Sequence, residues 1–171
     1  MKKHILITGN PRVGKTTLLK KLIENVESAG GFYTQEIRKG GERVGFEIIT
    51  LDGKKGILAR KGLKSSHTLG KYGINVEDLE EIGVRSLKDA IENKGIIVID
   101  EIGKMELFSD EFRKIAIKAL NSDKRVVGVI HRKSIPFLNE IKQRKDVEMY
   151  ELTLENRNYL ETKLKKELEK L

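Results

Sequence analysis

GNPRVGKT, residues 9 to 16, follows the apolar run Ile5 to Ile7 almost at the start of the chain. The stretch fits the pattern G-x-x-x-x-G-K-[ST], a loop whose backbone N–H groups hold the phosphates of a nucleotide. Its context agrees with that reading, because His4 to Thr8 is predicted to be a buried strand and a helix is predicted from Lys15 to about Ala29. The pattern therefore predicts a phosphate site at a strand–helix junction.

The residues of this phosphate loop have separate expected roles. Gly9 and Gly14 permit tight backbone geometry, so the amides of the loop can point at phosphate oxygens with help from the helix dipole. Lys15 is expected to reach the β- and γ-phosphates, and the Thr16 hydroxyl is expected to ligate Mg²⁺. The predicted nucleotide-binding residues of the loop are Gly9, Asn10, Pro11, Arg12, Val13, Gly14, Lys15 and Thr16.

Composition limits the classes of protein that remain. The 171 residues carry 34 Lys and Arg against 26 Asp and Glu, a formal charge of +8, and no Cys. The surplus suits an anionic ligand, although lysines alternating with glutamates also describe a well-solvated surface. Disulfides, thiol nucleophiles and cysteine zinc sites are excluded. Without an apolar stretch near 18 residues or a removable leader before the loop, we expect a cytoplasmic protein, and the Lys/Glu density favours a thermophilic source.

A β-rich section is predicted after the first helix, which we expect Gly30-Gly31 to stop. GFYTQEIR (31–38) and VGFEIITL (44–51) alternate as half-buried strands do. Asp52-Gly53 predicts a turn into a further strand at 54–60. Residues 61–73 have no period and are rich in Gly, Lys and Ser, which predicts a mobile loop.

The second half of the chain alternates helices and strands. Asn75 is predicted to cap a helical segment over 75–95, with Gly83 breaking it in two, and Ser109 a helix to about Asn121. Other predicted elements are strands GIIVIDE (95–101), RVVGVIH (125–131) and VEMYEL (147–152), a short helix Pro136–Lys142, and a tail helix whose stripe Leu160, Leu164, Leu168 and Leu171 docks on the domain. This alternation predicts one three-layer α/β domain, residues 1–171, with a mostly parallel sheet and an added β-hairpin section.

Two acids close the apolar run Ile96 to Ile99. A phosphate loop needs a second acid to hold the metal, usually at the end of a neighbouring strand, and Asp100 fits this role. Glu101 follows immediately and is predicted to take a proton from a water aimed at the γ-phosphorus. The alternative is that Glu101 begins a solvated turn. A catalytic pair of Lys15 and Glu101 favours hydrolysis over simple nucleotide binding.

Six segments resemble a small nucleoside-triphosphatase family of archaea, thermophilic bacteria and animals, the type of the human cancer-related nucleoside triphosphatase. They are GNPRVGKTT, GFYTQEIR, ERVGFEII, LAR, IDEIGKMEL and VIHR. The resemblance covers nearly the whole chain and implies a RecA-like P-loop NTPase sheet and Mg²⁺-dependent hydrolysis of several nucleoside triphosphates to diphosphates. It also implies a second nucleotide-contacting segment, here Val98, Ile99, Asp100, Glu101, Ile102, Gly103 and Lys104.

Some other polar residues are weaker candidates. His131 and Arg132 follow a predicted strand, and Arg132 could stabilise transition-state charge as arginine fingers do, or simply be solvated. Glu106 is interpreted as a helix-start or structural charge. His4 and His67 lack partners at metal-ligand spacing and receive no role. No Asn-Lys-x-Asp guanine-reading element occurs, so strict GTP selectivity is not expected.

The sequence therefore predicts a Mg²⁺-dependent enzyme that hydrolyses ATP, GTP and other nucleoside triphosphates with low base selectivity. One alternative is a small-molecule or nucleoside kinase, with Glu101 assisting an acceptor hydroxyl and segment 61–73 closing as a lid. Another is a nucleic-acid-binding module that uses nucleotide as a switch. Dispersed basic residues, and an aromatic set of four Tyr and five Phe without Trp, argue against this last class. The oligomeric state is left open.

Overall fold

The computed structural model describes residues 2–169, which contain nine strands in one sheet. The strands are β1 (His4–Gly9), β2 (Ala29–Lys39), β3 (Glu42–Thr50), β4 (Lys55–Lys61), β5 (Thr68–Leu69), β6 (Tyr72–Ile74), β7 (Ile96–Ile102), β8 (Arg125–Ile130) and β9 (Val147–Leu152). The α-helices are α1 (Lys15–Ile23), α2 (Val76–Asp78), α3 (Arg85–Asn93), α4 (Asp110–Asn121), α5 (Pro136–Lys142) and α6 (Arg157–Glu169). A π-helical segment, Leu79–Val84, joins α2 to α3, and a 3₁₀ turn, Glu106–Phe108, precedes α4.

The sheet has a parallel and an antiparallel half, in the order β5-β6-β4-β3-β2-β7-β8-β1-β9. From β2 to β9 every pairing is parallel, and from β2 to β5 every pairing is antiparallel. β7 and β8 are buried almost throughout, as strands covered on both faces must be. The antiparallel half is a meander built on the long strand β2, whose last residues run beyond its pairing with β7 at Phe32 and Ile99.

Helices cover both faces of the sheet. On one face, α1 and α6 pack their leucines together over Ile5, Ile7 and Val127. On the other face, the π-helical segment with α3, α4 and α5 packs on a core that includes Phe32, and Phe112 contacts the Phe32 ring edge-on at 6.4 Å between centroids. The predicted three-layer α/β architecture is therefore confirmed. Among residues 2–169, no helix is long and apolar enough to cross a membrane.

The first helix ends earlier than its sequence predicts. It stops at Ile23, and Ala29, the predicted helix end, instead opens β2 opposite Ile96. Gly30-Gly31 was expected to stop the helix but lies inside this strand. Gly31 has a φ of 117°, and a side chain there would collide with the Val98 carbonyl. The glycine thus serves the close approach of β2 to β7 and not a helix end.

Two further expectations are wrong. Gly83 does not break the helix that Asn75 caps, because it lies buried within the π-helical segment and the chain stays helical from 76 to 93. Segment 61–73 is not a featureless loop, because β5 and most of β6 lie in it and pair with each other and with β4. In the tail, the leucines of α6 dock on α1 as predicted, whereas Leu171 lies outside the described residues.

Candidate active site

The phosphate loop lies where the sequence predicts it, between β1 and α1. Gly9 has a φ of 152°, and a Cβ there would stand 2.7 Å from the Leu152 carbonyl oxygen. Gly14, with a φ of 101°, leads directly into α1, so the helix N-terminus faces the loop. Arg12 also has a left-handed backbone, with a φ of 64°. The loop thus contains three residues with left-handed or other positive-φ backbone, two of which are glycines.

Lys15 and Thr16 connect the loop to the neighbouring strands. The Lys15 ammonium donates to the carbonyls of Gly9 at 2.7 Å and Asn10 at 3.0 Å. The Thr16 hydroxyl donates to Asp100 Oδ2 at 2.6 Å, although the two residues are 84 positions apart in the chain. β7 reaches this place because only β8 separates it from β1 in the sheet. The two predicted metal ligands are therefore adjacent.

The two acids are held in a low-dielectric environment. Burial raises the pKa of Asp100 to about 7, and the Thr16 hydrogen bond opposes this shift. Burial also raises the pKa of Glu101, while the Lys15 charge opposes it. Burial lowers the pKa of Lys15, and the charges of Glu101 and Asp100 act in the other direction. Two carboxyl groups and one ammonium thus lie together in a site largely shielded from water, and this shielding opposes the charged form of each.

The Thr16 and Asp100 oxygens fit a magnesium ion. Mg²⁺ is usually held by one or two carboxylates together with waters and substrate phosphates, not by an all-protein cage. Accordingly, residues 2–169 contain no cluster of three His, Cys, Asp or Glu side chains arranged for a metal. The Asp100 carboxyl group and the Thr16 hydroxyl, in contact beside the phosphate loop, supply the hard oxygen donors that such an ion prefers.

The second predicted nucleotide-contacting segment divides into two parts. The side chains of Val98, Ile99 and Ile102 are fully buried in the core, so any contact with a nucleotide would be through their backbone. Glu101 borders the cavity beside Lys15, and Gly103 packs so close that a Cβ there would meet the Glu101 carboxylate. Lys104 lies beside Lys133, whose proximity lowers the pKa of Lys104, and lines neither cavity at the phosphate loop.

Glu106 is far more buried than the sequence indicates. It opens the 3₁₀ turn, as expected of a helix-start residue, but only 2% of it is exposed. Burial first, and then the charges of Glu101 and Asp100, raise its pKa well above the usual value. The nearby backbone of Glu106 itself and of Gly103 acts in the other direction on this pKa. Glu106 therefore lies buried in the turn beside Glu101.

The residues after β8 also reach the site. Arg132 Nη1 donates to Asn10 Oδ1 at 2.6 Å, which ties the β8 loop to the phosphate loop. His131 lines the same cavity as Lys15 and Glu101. Burial lowers the pKa of His131, followed by the nearby charges of Lys104 and Lys15. His4 and His67 lie elsewhere: His4 is buried between Leu120 and Val126, and the His67 ring lies 5.3 Å from that of Phe108.

Sequence reasoning missed a wall of the site that the antiparallel half provides. Glu36 on β2 and its cross-strand partner Phe46 on β3 line both cavities that contain Lys15 and Glu101. Arg43 lines one of the two. Glu36 lies in the segment GFYTQEIR, and Arg43 and Phe46 lie in ERVGFEII, two of the segments that carry the family resemblance. Neither segment matches a phosphate-binding pattern, so the sequence did not assign these residues to the site.

The chain is similar to known proteins over most of its length. A family described as NTPase matches residues 4–165. A nucleoside-triphosphatase THEP1 of Thermotoga sp. strain RQ2 is 57% identical and covers 91% of this chain and 90% of its own. The human cancer-related nucleoside-triphosphatase is 40% identical, covering 94% and 93%. The crystal structure of THEP1 from the hyperthermophile Aquifex aeolicus superposes with a TM-score of 0.85 at 39% identity, covering 94% and 96%.

Proposed function

The chain belongs to the NTPase family and is a nucleoside-triphosphatase with a P-loop NTPase fold, and we propose that it uses Mg²⁺ and water to convert several nucleoside triphosphates to diphosphate and phosphate. The observation that carries the proposal is the 2.6 Å contact between Thr16 and Asp100, with Glu101 and Lys15 in the same cavity. These are the parts that a phosphate loop needs for transfer of a γ-phosphoryl group. The Thermotoga relative agrees with the thermophilic source that the composition favours.

Each group at the site has a proposed role. The amides of the phosphate loop and the start of α1 hold the phosphates, and Lys15 turns from the loop carbonyls towards the β- and γ-oxygens. Thr16 and Asp100 would hold Mg²⁺, which when bound supplies charge neutralisation on the phosphate oxygens. Positioning and electrostatic stabilisation by these residues carry most of the catalysis, since phosphoryl transfer needs little covalent help from a protein.

Glu101 supplies the general base in this proposal. Its carboxylate accepts a proton as the water oxygen bonds to the γ-phosphorus and the bond to the bridging oxygen of the diphosphate breaks. Its raised pKa brings the carboxylate closer to the operating pH, which makes it a more effective proton acceptor. Arg132, held by Asn10 at the rim of the cavity, is the arginine placed to add positive charge to the transition state.

The segment proposed as a kinase lid gives that alternative no support. Residues 61–73 line neither cavity at the phosphate loop, and part of the segment is fixed in β5 and β6. An acceptor-free reaction separates the two functions. Purified protein, ATP and Mg²⁺ in ¹⁸O-labelled water should release inorganic phosphate carrying one ¹⁸O atom from the solvent and leave ADP unlabelled, as read by mass spectrometry. Phosphate release that begins only when a nucleoside or another hydroxyl compound is added would favour the kinase.

A further inference from the structure

A cleft of about 270 Å³ opens beside the phosphate loop, on the side where the β2–β3 hairpin faces it. It shares Lys15, Glu36, Phe46 and Glu101 with the neighbouring cavity, which contains the proposed metal ligands Thr16 and Asp100. In hydrolysis, the attacking water approaches the γ-phosphorus from the side opposite the leaving diphosphate. Glu101, the proposed base, would therefore lie on that side of the γ-phosphate. The cleft extends from Glu101 to Arg43 and Phe46 of the hairpin. It is several times larger than the roughly 30 Å³ that one water needs.

The cleft has a surplus of positive charge. Among the described residues that line it, the cationic side chains are Arg12, Lys15, Arg43 and Arg132, and the carboxylates are Glu36 and Glu101. The lowered pKa of His131 reflects its burial and the same field, because Lys104, Lys15, Lys142 and Arg132 all disfavour its protonated form. Apart from Lys15, which is proposed to bind the nucleotide, three arginines line the cleft. That arrangement suits a second anionic group.

Arg43 is the best organised of these cations. Its Nε donates to the Tyr72 hydroxyl at 2.9 Å, and Nη1 lies 3.5 Å from a Glu36 oxygen. The guanidinium also lies 5.1 Å from the centre of the Phe46 ring and 5.7 Å from that of Tyr72. Contacts from three strands therefore hold the planar group in place, while 42% of the side chain stays exposed. A pre-positioned guanidinium is well suited to bind phosphate, since its fork matches the oxygens of that ion.

We propose that this cleft, which we call the Arg43 pocket, binds the inorganic phosphate released by hydrolysis while the nucleoside diphosphate is still on the phosphate loop. The inference rests on the proposed function and adds a product site to it. After the bond to the bridging oxygen breaks, the phosphate moves away from the diphosphate, and this path leads past Glu101 into the pocket. Arg43 then provides donors that the phosphate loop does not.

Titration calorimetry of the protein saturated with ADP and Mg²⁺ tests the pocket, with inorganic phosphate as the probe. Phosphate should bind, and Arg43→Gln should raise its dissociation constant at least about tenfold, the effect of losing one charge-assisted hydrogen-bond pair. Arg38→Gln is the matched control. Arg38 also pairs with Glu36, at 2.8 Å, is 43% exposed and carries the same charge, but it does not line the pocket. Its loss should change the phosphate constant less than about twofold.

Three results would overturn the proposal: no phosphate binding to the ADP-loaded protein, an unchanged constant in Arg43→Gln, or equal weakening in the Arg38→Gln control. The last would mean that hairpin stability or overall charge governs the effect. A parallel titration with AMP distinguishes the source of the phosphate. Binding of AMP more tightly than inorganic phosphate would assign the pocket to a second substrate and contradict a product site. Failure of these tests in a protein that still releases phosphate from ATP removes the pocket and leaves the proposed hydrolysis intact.

Discussion

The parallel and antiparallel halves of the sheet contribute different things to the same site. The parallel half ends in short-range motifs: the phosphate loop after β1 and the two acids of β7. The antiparallel half contributes Glu36, Arg43 and Phe46, which match no phosphate-binding pattern. Glu36 lies on the part of β2 that continues past its pairing with β7, and Arg43 and Phe46 lie on the paired strand β3. We propose that the residues of the parallel half carry out the chemistry and that the residues of the antiparallel half shape the space around it.

Removing the Lys15 ammonium, in the parallel half, should have the largest effect on turnover. Lys15→Ala deletes the ammonium placed against the transferring phosphoryl group, so turnover should fall by more than about 10³-fold, below detection. Lys21→Ala is a suitable control, because Lys21 lies on the same helix but pairs with Glu161 at 3.3 Å on the surface. Steady-state phosphate release measures both. A near-normal rate for Lys15→Ala would mean that the phosphate loop is not the site of hydrolysis.

Substitutions in the two halves should also differ in their effect on the free energy of unfolding. His4 is fully buried in β1, where Nε2 hydrogen-bonds the Leu120 carbonyl and Nδ1 accepts from the Val126 amide. His4→Ala leaves two buried backbone groups unpaired and should cost about 2–4 kcal/mol. Tyr72→Phe in the antiparallel half removes one partly exposed hydrogen bond to Arg43 and should cost about 1 kcal/mol or less. Urea unfolding measures the free energy of unfolding of both variants. Equal losses in the two variants would contradict the expected difference between the two halves.

The same histidine predicts a pH dependence. Burial, its largest influence, lowers the pKa of His4 below the usual 6.5. The unfolded chain therefore takes up a proton that the folded protein resists, so this contribution to stability is present above about pH 6.5 and is lost as the pH falls. The stability gap between the parent and His4→Ala should narrow between about pH 8 and pH 5 in parallel urea titrations. A gap that widens towards acid pH would mean that His4 is charged in the fold.

The smallest effect should be the preference for one base. The proposed roles in both halves concern phosphates and not the base. The stretch most similar to a guanine-reading element, NSDK at 121–124, has the wrong order and lines neither cavity. The kcat/KM values for ATP and GTP should therefore agree within about tenfold, or about 1.4 kcal/mol. A thousandfold preference in a turnover assay would reveal a base-reading pocket.

The sequence predicted the elements of the parallel half better than those of the antiparallel half. The positions of the phosphate loop and of the acids of β7 could be located because a local pattern marks each: G-x-x-x-x-G-K-[ST] for the loop and an apolar run ending in acids for β7. The short strands β5 and β6 could not, because two or three residues carry no periodic signal and their order comes from pairing with β4. The predicted end of the first helix was wrong for a related reason. Gly31 is required by its close approach to the Val98 carbonyl, which lies far along the chain, and not by a helix end.

The sequence also did not predict which charged side chains are buried or lie at the site. Glu106 and Glu101 have the same side chain and lie five positions apart, yet only Glu101 borders the cavity, and Glu106 is buried under the turn beside it. Arg43 and Arg38 are equally exposed and share Glu36 as a partner, and only the position of the strands brings Arg43 to the cleft. Such roles depend on long-range packing that a local pattern does not record.

The central claim is that Glu101 accepts the proton from water while Asp100 and the phosphate loop hold the nucleotide. Glu101→Gln keeps the shape of the side chain and removes the proton acceptor. Turnover should fall by about 10²- to 10⁴-fold, while the dissociation constant for ATP and Mg²⁺ stays within about threefold of the parent, so unhydrolysed ATP accumulates on the variant. A variant that keeps more than about a tenth of the parent rate would contradict the account, as would an affinity that falls together with the rate.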